Sequence, residues 1–220
     1  MNVLKKLIPA LLVMFLFSGC MTLLNIKLPD GVYVVGDFTN GVPKPEYKME
    51  LQGGVYTLEL SSSVLTFENN IAWYQVVMVV DGKPMKASSG IPIWSEKIGD
   101  TITIYASSDL MEDGTAKGVG DSEKETGPWY CAGNFNNWTL EEMTYQNGKF
   151  VLETGCFVTS GQTIEYKIAR NSDWIPYEEQ FDGVSYNAGY GENAVFVADK
   201  DGTLVIEFDP RFSLLKAYVK

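Results

Sequence analysis

Residues 129–138 read Trp129-Tyr130-Cys131-Ala132-Gly133-Asn134-Phe135-Asn136-Asn137-Trp138. The first four form a short apolar run of strand type. Gly and Asn are turn residues, so the chain leaves the strand and bends at Gly133-Asn134-Phe135-Asn136-Asn137. The bend ends in Trp138, a large ring on a loop. Downstream, Tyr166-Lys167-Ile168-Ala169 reads as a second strand. It is followed by Asn171-Ser172-Asp173-Trp174, a second turn that also ends in tryptophan.

The same pattern occurs earlier in the chain. Val35-Gly36-Asp37-Phe38-Thr39-Asn40-Gly41 matches Ala132–Trp138 at an offset of 97 residues. Met49, Gln52, Gly54 and Tyr56 match Met143, Gln146, Gly148 and Phe150 at 94. Tyr74-Gln75-Val76-Val77 and Asp81-Gly82 match Tyr166-Lys167-Ile168-Ala169 and Asp173-Trp174 at 92, as does Gly99–Ile102 with Gly191–Ala194. An ordered series of matches, with an offset that only shrinks at loops, indicates a duplicated module. The expected copies are 30–106 and 128–220. Each shows short runs of Val, Ile, Tyr and Phe with period-two alternation, broken by Gly, Asn and Asp, such as Val55-Tyr56-Thr57-Leu58-Glu59-Leu60. That is the signature of a β-sandwich. The expected fold is all-β: two tandem immunoglobulin-like β-sandwich modules. Thr203–Phe208 and Leu214–Val219 read as a hairpin closing the second copy, and the first copy offers no convincing equivalent. Residues 107–127, with Glu112-Asp113-Gly114 and Asp121-Ser122-Glu123-Lys124-Glu125, lack apolar periodicity and read as a solvated linker.

Composition narrows the function. The 220 residues contain no histidine, which removes Ser-His-Asp and Cys-His catalysis and the commonest zinc ligand. Net charge is −11 without basic stripes, which argues against nucleic acid. Lys5 and Lys6 precede the apolar run Leu7–Phe17 and then Ser18-Gly19-Cys20, the order of a secretory signal. Phe17-Ser18-Gly19-Cys20 is similar to a bacterial lipobox. That resemblance implies a signal peptide over 1–19, lipidation at Cys20, a tether over 20–29, and membrane attachment through the lipid. By resemblance to lipoprotein sorting signals, Met21 in place of Asp favours the outer membrane of the bacterial envelope if the cell has one.

The arrangement of strand, Gly-x-Phe-Asn-x-Trp, Tyr-Lys-x-x and a second Trp resembles the glycogen- and starch-binding modules of carbohydrate-binding family 48. The resemblance covers roughly residues 128–198. It implies a non-catalytic module that binds α-glucan (starch, glycogen, maltooligosaccharide) and needs no cofactor. Carried over position by position, it implies a platform of Trp138 and Trp174, a hydroxyl-binding lysine at Lys167 and a contribution from Asn193. At Gly191-Glu192-Asn193-Ala194 the chain departs from the family pattern, with Glu192 where an Asn often stands. The chemistry is coherent: an aromatic plane matches the C–H face of a glucose ring, and fixed polar groups match its hydroxyls. Tyr177 and Tyr190 offer further rings.

The first copy acts as an internal control, with Gly41, Gln75 and Gly82 where the second has Trp138, Lys167 and Trp174. Two core tryptophans exchanged for glycine would leave cavities, whereas lost surface rings cost little. The rival reading is an interaction module of the same fold that docks a secreted amylase or another envelope protein and binds no sugar. Trp73 and Trp94 read as core, with a different surface on the first copy as the alternative. Cys131 and Cys156 are open between a disulfide and two buried thiols. Asp199-Lys200-Asp201-Gly202 reads as a hairpin turn rather than a metal loop, so no metal site is expected.

Overall fold

The computed structural model of the protein describes residues 27–109 and 118–220. The signal segment, Cys20 and most of the tether lie outside the described residues. The chain is an all-β sandwich protein. The first module contains β1 (Gly31–Gly36), β2 (Glu50–Gln52), β3 (Val55–Ser61), β4 (Ile71–Val80), β5 (Lys83–Ala87), β6 (Ile91–Trp94), β7 (Thr101–Ser107) and β8 (Val119–Asp121). The second contains β9 (Tyr130–Gly133), β10 (Glu141–Glu142), β11 (Thr144–Gln146), β12 (Lys149–Val158), β13 (Thr163–Ala169), β14 (Gln180–Phe181), β15 (Ala194–Val197), β16 (Gly202–Asp209) and β17 (Leu214–Val219). In each module two antiparallel sheets face each other. The order β1-β4-β5, with β6 also on β4, packs on β2-β3-β7-β8. The order β10-β9-β13-β14, with β15 also on β13, packs on β11-β12-β16-β17.

Alternation explains the cores. Val32, Val34, Tyr74 and Val76 from one sheet meet Leu60, Ile102 and Ile104 from the other. Cys131, Tyr166 and Ile168 meet Phe150, Leu152, Leu204 and Ile206 in the same way. Side chains between these point outward, as the pleat requires. Cys131 and Cys156 are free thiols, the first buried in this core.

The pairing registers carry the duplication. Gly36 lies opposite Tyr74 in the first module, and Gly133 opposite Tyr166 in the second. Tyr56 lies opposite Ala106, and Phe150 opposite Phe208. Later matches need correction. Gly99–Ile102 leads into β7, whose counterpart is β16, so it does not correspond to Gly191–Ala194. Tyr74 pairs with Ile91 while Tyr166 pairs with Ala194, so the offset rises to 103 instead of shrinking. Ala87 and Gln180 hold equivalent places at an offset of 93. The second copy therefore carries an insertion of ten residues between Gln180 and Ala194. The first copy also has its closing strand: β8 pairs with β7 as β17 pairs with β16.

That strand and the turn after it take residues 119–126 out of the expected linker, whereas residues 110–117, with Glu112-Asp113-Gly114, lie outside the described residues. Asp121, Glu123 and Lys124 are buried, not solvated. Lys124 pairs with Asp121 and donates to the Pro92 carbonyl at 3.0 Å, and Tyr74 donates to Asp121 at 2.9 Å. Burial and the Asp121 carboxylate push the Tyr74 hydroxyl well above its usual value, so it remains a donor. Glu123 pairs with Arg170, which follows β13 of the second module. The Arg170 guanidinium lies over Trp94 and Trp129, at 4.8 and 5.6 Å from the ring centroids. Trp94, from the first module, belongs to the core cluster of the second. Gly120 fits because its Cα faces the Pro210–Phe212 turn; a Cβ there would lie 2.1 Å from the Pro210 carbonyl oxygen. The charged segment is thus the mortar between two sandwiches: charges enter a core only when paired. Trp73 departs from the core expectation; it points outward from β4 and is 37% exposed.

Candidate functional site

β13 supplies the base of the site. Ile164, Tyr166 and Ile168 face the core, so Glu165 and Lys167 face outward. On this outer face Lys167 is nonetheless only 6% exposed, because three loops cover it. Its ammonium lies 5.9 Å from the ring centroids of both Trp138 and Trp174 and donates to the Ala188 carbonyl at 2.6 Å. Burial pulls its pKa below the ordinary ammonium value, against the charges of Asp182 and Glu192 nearby. The sequence reading places Lys167 at the surface; the structure buries it, with its ammonium beside both rings.

The rings are half-buried, with centroids 6.3 Å apart and planes inclined at 59°. The turn that presents Trp138 is closed by its backbone N–H donating to the Gly133 carbonyl at 2.9 Å. The first module closes the same turn from Gly41 to Gly36 at 3.0 Å. Gly41 has φ +69° and Trp138 has φ +59°, so both copies use the left-handed region at this residue. Glycine occupies it freely, whereas a bulky L-residue there costs roughly 1–2 kcal/mol. Asn137 precedes Trp138 in the same region, at φ +54°. The second module therefore places a large ring where the backbone favours glycine. A strained residue that persists in this way points to a role outside folding.

Trp174 is held from its backbone. Gln180, buried on β14, donates its amide to the Trp174 carbonyl, and Asp173 accepts from the Trp174 N–H at 2.7 Å. Asn193 does not join the two rings directly. Its amide donates to the Glu165 carboxylate at 3.2 Å, two residues along β13 from Lys167 on the same outer face. The structure thus brings together Trp138, Trp174 and Lys167, with Asn193 at the margin.

The sequence did not indicate the Ala188 carbonyl or Gln180. Both lie in or beside the inserted segment, which has no counterpart in the first copy. Tyr186 of the insertion also stacks on Phe181, centroids 4.6 Å apart, and meets Trp94 of the first module edge-on at 5.9 Å. The segment that caps Lys167 is therefore anchored at the junction between modules. No protein-family model matches this chain, and a search of curated proteins finds no match.

Proposed function

We propose that the second module binds α-glucan on the Trp138–Trp174 pair, and that the protein is a non-catalytic, lipid-anchored carbohydrate-binding protein of a bacterial envelope. The observation that carries the reading is Trp138 in a left-handed turn where the first copy keeps Gly41. Two rings inclined at 59° suit a chain that curves from one glucose to the next, as α-linked glucans do. Their half-exposed faces offer apolar area to C–H faces at low entropic cost. Asn193 and Glu165, bonded to each other at the margin of the platform, and Glu192, whose charge acts on Lys167, are polar groups available to hydroxyls. The first module supports the second through Trp94 and Glu123 and has no such platform.

Retention on insoluble starch or glycogen tests the reading. Trp138→Gly and Trp174→Ala are each expected to weaken maltoheptaose binding by about 1–3 kcal/mol, the range for losing a stacking ring. Trp138→Gly should hold or raise the melting temperature, because glycine relieves the left-handed turn. Lys167→Ala behaves differently. It is expected to lower affinity and also stability, by about 1–3 kcal/mol, since the Ala188 carbonyl loses its buried donor. Melting measured beside affinity separates the cases. A large drop in melting temperature for Trp138→Gly would make that ring a core residue and remove the main support for the platform.

Anchoring is tested on the lipobox-like segment, which lies outside the described residues. Cys20→Ser should move the protein from the membrane fraction to the soluble fraction. A variant that stays with the membrane, beside a wild type without lipid by mass spectrometry, would end the anchor proposal.

A further inference from the structure

A second aromatic pair adjoins the tryptophans. Tyr177 and Tyr190 lie with ring centroids 4.8 Å apart and planes inclined at 48°. Tyr190 is 75% exposed and Tyr177 37%, high values for rings packed on each other. Tyr190 belongs to the inserted segment that the first copy lacks, and Tyr177 lies on the loop after Trp174.

The connection to the tryptophans runs through one short turn, Ala188–Tyr190. The Ala188 carbonyl accepts from Lys167, whose ammonium lies beneath both tryptophans. One peptide unit later, the Gly189 Cα abuts Tyr177; a Cβ there would lie 2.2 Å from the Tyr177 ring and 2.8 Å from the Gln180 amide oxygen. The next residue is Tyr190. Gln180 reaches the other way as well, donating to the Trp174 carbonyl. Lys167 and Gln180 therefore fix the tyrosine pair relative to the tryptophan pair. The turn is bounded by two left-handed residues, Asn187 at φ +75° and Gly191 at φ +112°, so its path is tightly determined. Exposed tyrosines with no core to fill, held by buried polar groups against an aromatic platform, are suited to contact a ligand.

We propose that Tyr177 and Tyr190 extend the platform into a second stacking subsite, so that the site selects glucan chains long enough to continue past the tryptophans. The inference rests on the glucan-binding reading. A short oligosaccharide occupies the tryptophan pair alone. A longer one continues over the Ala188–Gly189 backbone and places a further glucose face on the tyrosines, gaining affinity with length.

Titration calorimetry of the full mature chain with maltotriose and maltoheptaose tests this, using wild type and Tyr190→Ala. The exposure of Tyr190 makes the variant safe for folding, and a matching melting temperature would show it. Wild type is expected to prefer maltoheptaose. Tyr190→Ala is expected to lose about 5–10-fold in affinity for maltoheptaose, the lower range for a stacked ring, and to leave maltotriose unchanged. Equal loss for both lengths, or no loss for either, overturns the second subsite while leaving the tryptophan platform standing. A wild type that binds neither sugar overturns both readings at once.

Discussion

Residues 128–220 expressed alone are expected to lose most of the stability that the second module has in the full chain. The boundary follows the sequence repeat, but the second core extends beyond it. Trp94 packs in that core, with Ile71 against its rim. Trp129 donates its indole N–H to the Lys124 carbonyl at 3.0 Å, and Arg170 has its charge partner in Glu123. Truncation removes all four. It also removes the first-module surface that covers Arg170, so its guanidinium returns to water and the loss falls on packing. Loss of a large buried aromatic contact costs about 3–5 kcal/mol. Domains of this size hold about 5–15 kcal/mol in total. A fall of about 20 °C or more in melting temperature, or loss of a cooperative transition, is therefore expected at about 4–8 °C per kcal/mol. Circular dichroism of the fragment beside the full chain is the measurement. A fragment that melts with the full chain would mean that the two sandwiches are independent.

The second large effect is expected at Arg170. Its guanidinium lies between Trp94 and Trp129, and its Nε and Nη1 have no hydrogen-bond partner among the described residues. The pair with Glu123 is therefore incompletely compensated for leaving water. Burial pushes the Glu123 carboxyl up from 4.5 to about 7, against the downward pull of Arg170. A raised acid binds its proton more readily in the folded state than in the unfolded one. The stability tied to that proton is present below about pH 4.5 and is lost as pH rises through about 7. Arg170→Met removes the strongest group holding the carboxyl down, so Glu123 resists ionisation further. The variant is expected to lose about 3–5 kcal/mol at pH 8, where the lone carboxylate must be buried charged. At pH 5 it should lose less than half of that, since Glu123 then takes up a proton. Urea unfolding at the two pH values measures the difference. Equal losses would show that Arg170 acts by packing on the two indoles and not through Glu123.

Both effects come from a segment whose composition suggests the opposite. Asp121-Ser122-Glu123-Lys124-Glu125 has no apolar period, and a charged stretch of this kind is usually solvated. Its burial depends on Arg170, Tyr74 and Pro92, all far away in the chain. Whether a charge lies in water or in a core is decided by a distant partner, and no local window contains that partner. Trp94 shows the same limit. Strand pattern marks it as an inward ring, but the core it enters belongs to the other module.

The strands themselves were legible because alternation is local. Ile164, Tyr166 and Ile168 declare an inward face by spacing alone, with Glu165 and Lys167 between them, whereas Val32-Tyr33-Val34-Val35 is apolar throughout and buried on both faces. The turns were legible because Gly and Asn tolerate left-handed backbone, so Asn40-Gly41 and Asn137-Trp138 mark the same bend. Comparison of the copies also singled out Trp138, Trp174 and Lys167 as additions to a shared scaffold. What the sequence by itself determined is therefore the all-β class, the duplication and the identity of the two rings, since each follows from residues close in the chain or from matching copies. Tertiary structure alone decided that Lys167 is a buried support, that the segment after Gln180 is an insertion carrying Ala188 and Tyr190, and that the sandwiches share a core. These depend on strand register and on which side chains shield one another from water, and both are settled only when distant segments meet.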